Sequence, residues 1–381
     1  MRSIKNQIKK ILPVFVFVIV LFGLCGFGIT AEEKTYSSTE KRELQTMPKV
    51  KIKTLKNGKF QKKYERYLSD QFPERDGWVK LRTTANRMLG KKESNGVYFA
   101  KDHYLLEHYD ASDFAELQTN IDALAGFVKS AKEKADVRVM MIPTKTWVLR
   151  DKLPAFAPTY DEQIFYDALN KAMGTSGADV LIPMEQVLNE HKDEEIYYHT
   201  DHHWTTLGAW YGYEAYVKAV GGREDLAKEK QTFESVCTDF YGTTYAKVNQ
   251  ASRPDAIDLY EPKRSLQVVY NMGERTTQTL YELDYLQSKD QYSIFTGGNQ
   301  AVIEITGGEK NGKTLLLVKD SFANCMLPFL AEDFERIVVV DLRQLNVDCD
   351  ALMQMFEPTD VLVLYNSAQF AKDREFAIKC R

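Results

Sequence analysis

The chain has 381 residues, 44% of them apolar, with 50 basic and 54 acidic side chains and a formal charge of -4. That apolar content buries a substantial core and excludes a disordered protein, and the length suits two domains or one domain with additions. Four basic residues (Arg2, Lys5, Lys9 and Lys10) lie in the first ten, so the rest carries 46 basic against 54 acidic groups, about -8, which gives no support to nucleic-acid binding.

Residues 11–29 form an uncharged stretch, close to the roughly 20 residues that cross a bilayer as helix. It exceeds the roughly 7 to 15 apolar residues of a cleavable signal, and Ile29-Thr30-Ala31 makes a poor cutting site. Leu24 before Cys25 also speaks against a lipoprotein site. The expectation is a cytoplasmic tip and transmembrane signal anchor over 1–31, with everything after it extracytoplasmic, or secreted if the signal is cut. Residues 32–110 read as a polar leader, a packing helix over 55–72 (Leu55, Phe60, Tyr64 and Leu68 at helical spacing) and a hairpin over 95–107.

From residue 111 the pattern is helix to about 134, a buried strand at 137–142, a helix at 160–173 and a short strand at 179–182, the rhythm of an α/β sheet. Pro143-Thr144-Lys145 leaves the first strand at its C-terminal end, where open α/β sheets place ligands. A helix follows 204, with Thr205 or Thr206 as N-cap and Gly221-Gly222 as its stop. The interval of about 223–312 breaks the rhythm with Thr, Tyr, Val and turn residues and reads as a β-rich insertion in a domain spanning 111–381. Strands at 314–318, 336–340 and 361–364 then end in Ser321, Arg343 and Asn366. Four cysteines follow the anchor (Cys237, Cys325, Cys349 and Cys380), too sparse for a disulfide framework though one bridge is open to them.

Three of the six histidines and an aspartate fall within five residues, in His199-Thr200-Asp201-His202-His203. An Asp two residues before a His can hold the ring nitrogen that does no chemistry and so make the other a base. Ser321, where an apolar strand breaks into a turn, supplies the nucleophile such a base needs, and its own N–H sits at a helix start, suited to an oxyanion. Asn366 offers a further amide. Each has a plainer reading. Ser321 alone fits an N-cap, Asp201-His202-His203 a polar loop feeding a helix, Asn366 a turn and Cys325 a small buried filler. His199, Asp201, His202 and His203 are also potential zinc ligands, but adjacent histidines aim poorly at one ion and no second His or Cys cluster completes the set. No metal or cofactor is expected.

With Asp201-His202-His203-Trp204 the chain resembles the DHHW protein family. The likeness extends to Glu40-Lys-Arg-Glu-Leu, Tyr67-Leu-Ser-Asp-Gln-Phe-Pro-Glu-Arg-Asp, Pro143-Thr-Lys, Asp239-Phe-Tyr-Gly-Thr, Thr296-Gly-Gly-Asn299, Val318-Lys-Asp-Ser-Phe-Ala-Asn and Val340-Asp-Leu-Arg343. That family is similar to the SGNH-hydrolase-like domains of alginate O-acetylation proteins, circularly permuted relative to GDS-type esterases. The resemblance implies a flavodoxin-like three-layer α/β/α sandwich. It implies Asp201, His203 and Ser321 as the triad, with His202 and Trp204 beside it. The glycine and asparagine blocks of SGNH enzymes fall on Arg343 and Asn366, and Gly298 or Asn299 stands as an alternative donor, since Lys319 and Arg343 depart from the glycines of the general pattern. The implied activity is O-acetyl transfer to a cell-envelope or exported polysaccharide, or acetylester hydrolysis, with a multi-spanning membrane O-acyltransferase as acetyl donor. A non-catalytic scaffold that binds polysaccharide or that acyltransferase is the alternative of a different class.

Overall fold

In the computed structural model, which describes every residue except 1–10, 21, 24–25, 27, 29–31, 38–41, 222–231, 252 and 381, the chain divides into two units, Met1–Leu89 and Gly90–Arg381. In the first unit residues 11–20 are helical and exposed. Among the described residues no helix is long and apolar enough to cross a membrane, and the expected span over 11–29 runs partly outside them. The expected helix over 55–72 is two helices, α1 (Ile52–Lys56) and α2 (Lys59–Asp70). They part at Gly58, whose φ of +72° is one that glycine adopts without a Cβ penalty. A third helix, α3 (Arg75–Met88), follows. The Gln71 side chain accepts from the Lys34 N–H at 2.9 Å and donates to the Lys34 carbonyl at 2.8 Å, which ties the leader to the end of α2.

The second unit starts with a three-stranded antiparallel sheet, β1 (Glu93–Ser94), β2 (Val97–Phe99) and β3 (Leu105–Glu107), where a hairpin was expected. The remaining strands are β4 (Asp136–Ile142), β5 (Leu181–Ile182), β6 (Glu234–Phe240), β7 (Asp255–Leu259), β8 (Gln267–Tyr270), β9 (Arg275–Thr277), β10 (Val302–Thr306), β11 (Thr314–Lys319), β12 (Arg336–Val340) and β13 (Asp360–Asn366). Eight of them form one sheet in the order β9-β8-β10-β12-β11-β13-β4-β5. From β12 to β5 the neighbours are parallel, and β10, β8 and β9 add antiparallel pairings at the other edge. The interval 223–312 is rich in strands, as expected: among its described residues three strands extend the main sheet, and β6 and β7 pair apart from it.

A parallel strand covered on both faces needs an unbroken apolar run, which Leu315-Leu316-Leu317-Val318 provides. Leu315 and Leu317 enter one core, with α6 (Met184–Glu190) and α7 (Thr206–Val220). Leu316 and Val318 enter the other, with α4 (Leu117–Ala131), α5 (Gln163–Met173) and α8 (Cys349–Phe356). The sheet thus lies between two apolar layers. Thr205 caps α7 by accepting from the Gly208 N–H, and Gly221 ends it in the left-handed region, as expected from the sequence.

The start of α8 is joined to the chain end by a Cys349–Cys380 disulfide, with Cα atoms 4.9 Å apart and a sequence separation of 31. Closing a loop of that length stabilises the fold by about 3 to 4 kcal/mol on the chain-entropy account. Cys349→Ser is expected to lose about 3 kcal/mol in urea unfolding, and dithiothreitol to destabilise the wild type by a similar amount while leaving the variant unchanged. Equal stability of the two proteins would show that the bridge contributes nothing.

Candidate active site

The site forms where β11 leaves the middle of the sheet. Asp320 follows the strand, and Ser321–Cys325 make a 3-10 turn. The buried Asp320 carboxylate accepts from the Phe322 N–H at 2.9 Å and the Asn366 N–H at 2.8 Å, so it caps the turn and pins the end of the neighbouring strand β13. Its burial pushes its pKa up, against the pull of Arg343 and these N–H donors. As the first residue of the turn, Ser321 keeps an N–H with no acceptor inside the turn.

The histidine loop is closed by a bridge between Tyr197 and Trp204 and by the Tyr198 N–H donating to the His203 carbonyl at 3.2 Å. Two buried charges shape its interior. Asp255 accepts from the N–H groups of His199 (2.7 Å) and Thr200 (2.8 Å) and from the Thr200 hydroxyl (2.5 Å). The Lys145 ammonium donates to the carbonyls of Tyr198 (3.0 Å), His199 (3.3 Å) and Asp201 (2.7 Å). Burial pulls Lys145 down to about 8, opposed chiefly by the carboxylates of Asp255, Asp201 and Glu107.

Asp201 is fully buried. One carboxylate oxygen accepts from His203 Nδ1 at 2.5 Å and from the His203 N–H at 3.0 Å. The other accepts from the Thr243 N–H at 2.7 Å and the Thr243 hydroxyl at 2.9 Å. Gly242 leaves the room this requires, since a Cβ there would stand 2.2 Å from Asp201 Cβ. With its Nδ1–H given to a carboxylate, His203 presents a bare Nε2, and that atom lies 2.8 Å from Ser321 Oγ. The ring is stacked on Tyr292 at 3.9 Å and 9°, and the Tyr292 hydroxyl donates to the Ser321 carbonyl at 3.3 Å. Chemically, this is a base oriented by a carboxylate and bonded to a hydroxyl.

The other expected site residues divide. Trp204 is wholly buried, and its Nε1–H donates to the Phe322 carbonyl at 2.9 Å, so it clamps the histidine loop to the serine turn and is no substrate platform. His202 is partly exposed and turned to Thr243, with Nδ1 2.5 Å from its hydroxyl. Asn366 is corrected as an oxyanion donor, because its amide donates to the carbonyls of Ile142 (3.1 Å) and Pro143 (3.4 Å) while its oxygen caps the next helix. Arg343 is corrected too: its Nε and Nη2 bond Asp341 at 2.8 and 2.6 Å. Gly298 has φ +82°, and Asn299, which follows it, is exposed. Ligand atoms of Asp201, His202 and His203 lie within 4.8 Å of one another, yet each residue is engaged in the hydrogen bonds above.

Sequence reasoning missed Lys145, Gly242, Thr243, Asp255 and Tyr292. Lys145, Gly242 and Thr243 stand in Pro143-Thr-Lys and Asp239-Phe-Tyr-Gly-Thr, segments visible as motifs but with no role attached. Nothing in the spacing of Asp255 or Tyr292 marks them.

Glu162 is a further buried carboxyl that the reacting groups do not use. It accepts from the Thr144 N–H at 3.2 Å, bonds the Thr144 hydroxyl, and accepts from Ser367 Oγ at 2.7 Å. Burial pushes its pKa up to about 7 from the ordinary 4.5. Between those values the folded protein holds a proton that the unfolded chain has released, so this group's contribution to stability falls as pH rises through the window. Glu162→Gln is expected to lose less stability than the wild type between pH 4.5 and 7 in urea unfolding, and identical pH slopes would contradict the assignment.

A family model described as DHHW protein matches residues 92–340. The probable alginate O-acetylase AlgJ of Pseudomonas syringae pv. tomato is 28% identical over 190 residues, 47% of either chain. Its namesake in Pseudomonas putida is 24% identical over 198 residues, covering 50% of this chain and 51% of the relative. The chain spans about half the length of the curated relatives it matches. Among solved structures, a DHHW family protein from Eubacterium siraeum superposes with a TM-score of 0.61 at 22% identity, covering 75% of this chain and 96% of that one. Bacillus cereus PatB1 with a sulfonyl adduct superposes with a TM-score of 0.58 at 21% identity, covering 74% and 98%. These likenesses show a shared mixed α/β fold built on a large sheet.

Proposed function

From the premise that the chain belongs to the DHHW protein family, we propose that it is an SGNH-type serine enzyme, an O-acetyltransferase or acetylesterase acting on a cell-envelope or exported polysaccharide. The observation that carries this reading is the contact of 2.8 Å between His203 Nε2 and Ser321 Oγ, with Asp201 behind the ring. A scaffold has no need of that alignment. A metal site would have to break it.

In the reaction, Ser321 Oγ attacks the acetyl carbonyl as His203 Nε2 takes its proton, and the resulting imidazolium is held by Asp201. Collapse of the tetrahedral intermediate expels the donor's oxygen, which receives that proton, and leaves acetyl-Ser321. A sugar hydroxyl then gives its proton to His203 and attacks the acyl carbon, which forms the new ester and returns Ser321 to its hydroxyl. Water in place of the sugar makes the same site an esterase. The relatives named as probable alginate O-acetylases support a polysaccharide acceptor.

In this reading the second unit works outside the cytoplasm, tethered by residues 11–29 or secreted. The uncharged stretch supports this, as does the Cys349–Cys380 disulfide, since such bonds persist in oxidising compartments. Acetyl-CoA is not at hand there, and the donor that the family resemblance implies is a multi-spanning membrane O-acyltransferase.

The test is hydrolysis of a chromogenic acetyl ester by the full-length protein, with phenylmethylsulfonyl fluoride as a trap. The wild type is expected to turn over and to carry one sulfonyl group on Ser321 by peptide mass. Ser321→Ala and His203→Ala are each expected to lose about 10³-fold or more in rate. A wild type that neither hydrolyses the ester nor accepts the sulfonyl group would sink the reading.

A further inference from the structure

The first unit is charged unlike the rest of the chain. Residues 49–89 hold 12 Lys and Arg against 4 Asp and Glu, a net +8, whereas the second unit, Gly90–Arg381, holds 31 against 46, a net -15. Of those 12 basic residues all but Arg75 are exposed. A charge split of this kind points to an anionic partner for the first unit alone.

Within that unit, α3 carries an apolar stripe that stays outside its packed face. The packed face is made by Val79, Thr83 and Asn86, of which Thr83 is buried and the others half-buried. Trp78, Leu81, Ala85, Met88 and Leu89 follow the spacing i, i+3, i+7, i+10 and i+11 on a different face. All five are exposed, Leu81 at 58%, Met88 at 83% and Leu89 at 77%. Phe72, also exposed, extends the stripe, since its ring packs edge-on against Trp78 at 6.1 Å. Lys80, Arg82 and Arg87 stand exposed on the same helix.

The place of this helix along the chain selects the partner. The leader is held to the turn between α2 and α3: Gln71 bonds both backbone groups of Lys34, and the Asp70 carboxylate accepts from the Gln45 N–H at 2.8 Å. Residues 30–33 alone separate Lys34 from the uncharged stretch 11–29, and a link of that length reaches at most about 18 Å. Phe72 and Trp78 are therefore kept close to where that stretch would leave a bilayer. Basic side chains beside exposed Trp, Leu and Met are the composition of a helix that lies in the headgroup layer, with its aromatic ring at the interface and its charges on acidic lipid. A soluble acidic polymer would use the charges and leave the apolar stripe in water.

We propose that α3, with the basic residues around it, is a docking surface for anionic phospholipid, on which the first unit lies against the membrane. The attraction offsets the repulsion that an anionic leaflet exerts on the acidic second unit. The proposal takes the tether at 11–29 from the reading above and is independent of the chemistry at Ser321.

The test uses the full-length protein in vesicles whose acyl chains carry bromine, which quenches tryptophan on contact. The Trp78 signal is the difference in emission between the wild type and Trp78→Phe. It is expected in unbrominated vesicles and is expected to vanish in brominated phosphatidylcholine vesicles that contain phosphatidylglycerol. It should return in about 1 M salt, where the screening length falls to about 3 Å. Lys80→Gln combined with Arg82→Gln should weaken docking about 25-fold, about five-fold for each charge removed, and move the half-quench to a higher phosphatidylglycerol fraction. Trp78 emission that ignores bromine overturns the proposal and gives the stripe to a protein neighbour. Equal quenching in pure phosphatidylcholine overturns the choice of an anionic lipid. Flotation of the vesicles in high salt reads the tether by itself, so its failure and that of the docking surface are told apart.

Discussion

The site depends on the Asp201 carboxylate, a full charge removed from water in the interior. Such a group is tolerated only where donors replace its hydration. Here the ring and backbone N–H of His203 take one oxygen and the backbone N–H and hydroxyl of Thr243 take the other. Each bond also fixes a moving part. The ring bond sets the tautomer and aim of His203. The Thr243 bonds hold the helix start at 243 against the loop, at a distance only Gly242 permits.

Around that carboxylate the loop has little freedom left. Lys145 gathers the carbonyls of Tyr198 and Asp201 and shares that of His199 with the Leu105 N–H, and Asp255 gathers the N–H groups facing the other way. An irregular loop in a protein interior must satisfy its backbone in this manner or become unstable. The serine turn comes to meet it on the central strand β11. Trp204 and Tyr292 join the two segments through the carbonyls of Phe322 and Ser321. Preorganisation of the base is thus a property of buried hydrogen bonds spread over six separate stretches of chain.

Much of this was legible in the sequence because apolar runs are local signals. The strands expected at 137–142, 314–318, 336–340 and 361–364 all lie within observed ones, and α7 is capped by Thr205, one of its two expected caps. Asp201 and His203 are a local pattern, an acid two residues before a base, whereas Ser321, 118 residues on, is marked only as a serine where an apolar strand breaks into a turn. The interval 223–312 is β-rich as its composition indicates, but its short strands carry no mark of which sheet edge they join. Asn366 and Arg343 were misassigned because a strand end says where a residue sits and nothing about whether its donors are spent. Asp255 and Tyr292 act through contacts 56 and 29 residues away in sequence, and pattern reading has no access to pairings of that kind. The Cys349–Cys380 bridge was one option among several until the two ends met.

The central claim is that Asp201 makes Ser321 a nucleophile by holding His203 in one tautomer, and Asp201→Asn tests it most directly. If the new amide turns its nitrogen to His203, it forces the ring proton onto Nε2, and if it turns it to Thr243, it loses the acceptor for that N–H. The measurement is the second-order rate of Ser321 sulfonylation by phenylmethylsulfonyl fluoride in a folded variant. The account predicts a fall of about 10⁴-fold, the size seen when such a carboxylate is neutralised in serine triads. A rate equal to that of the wild type would contradict it.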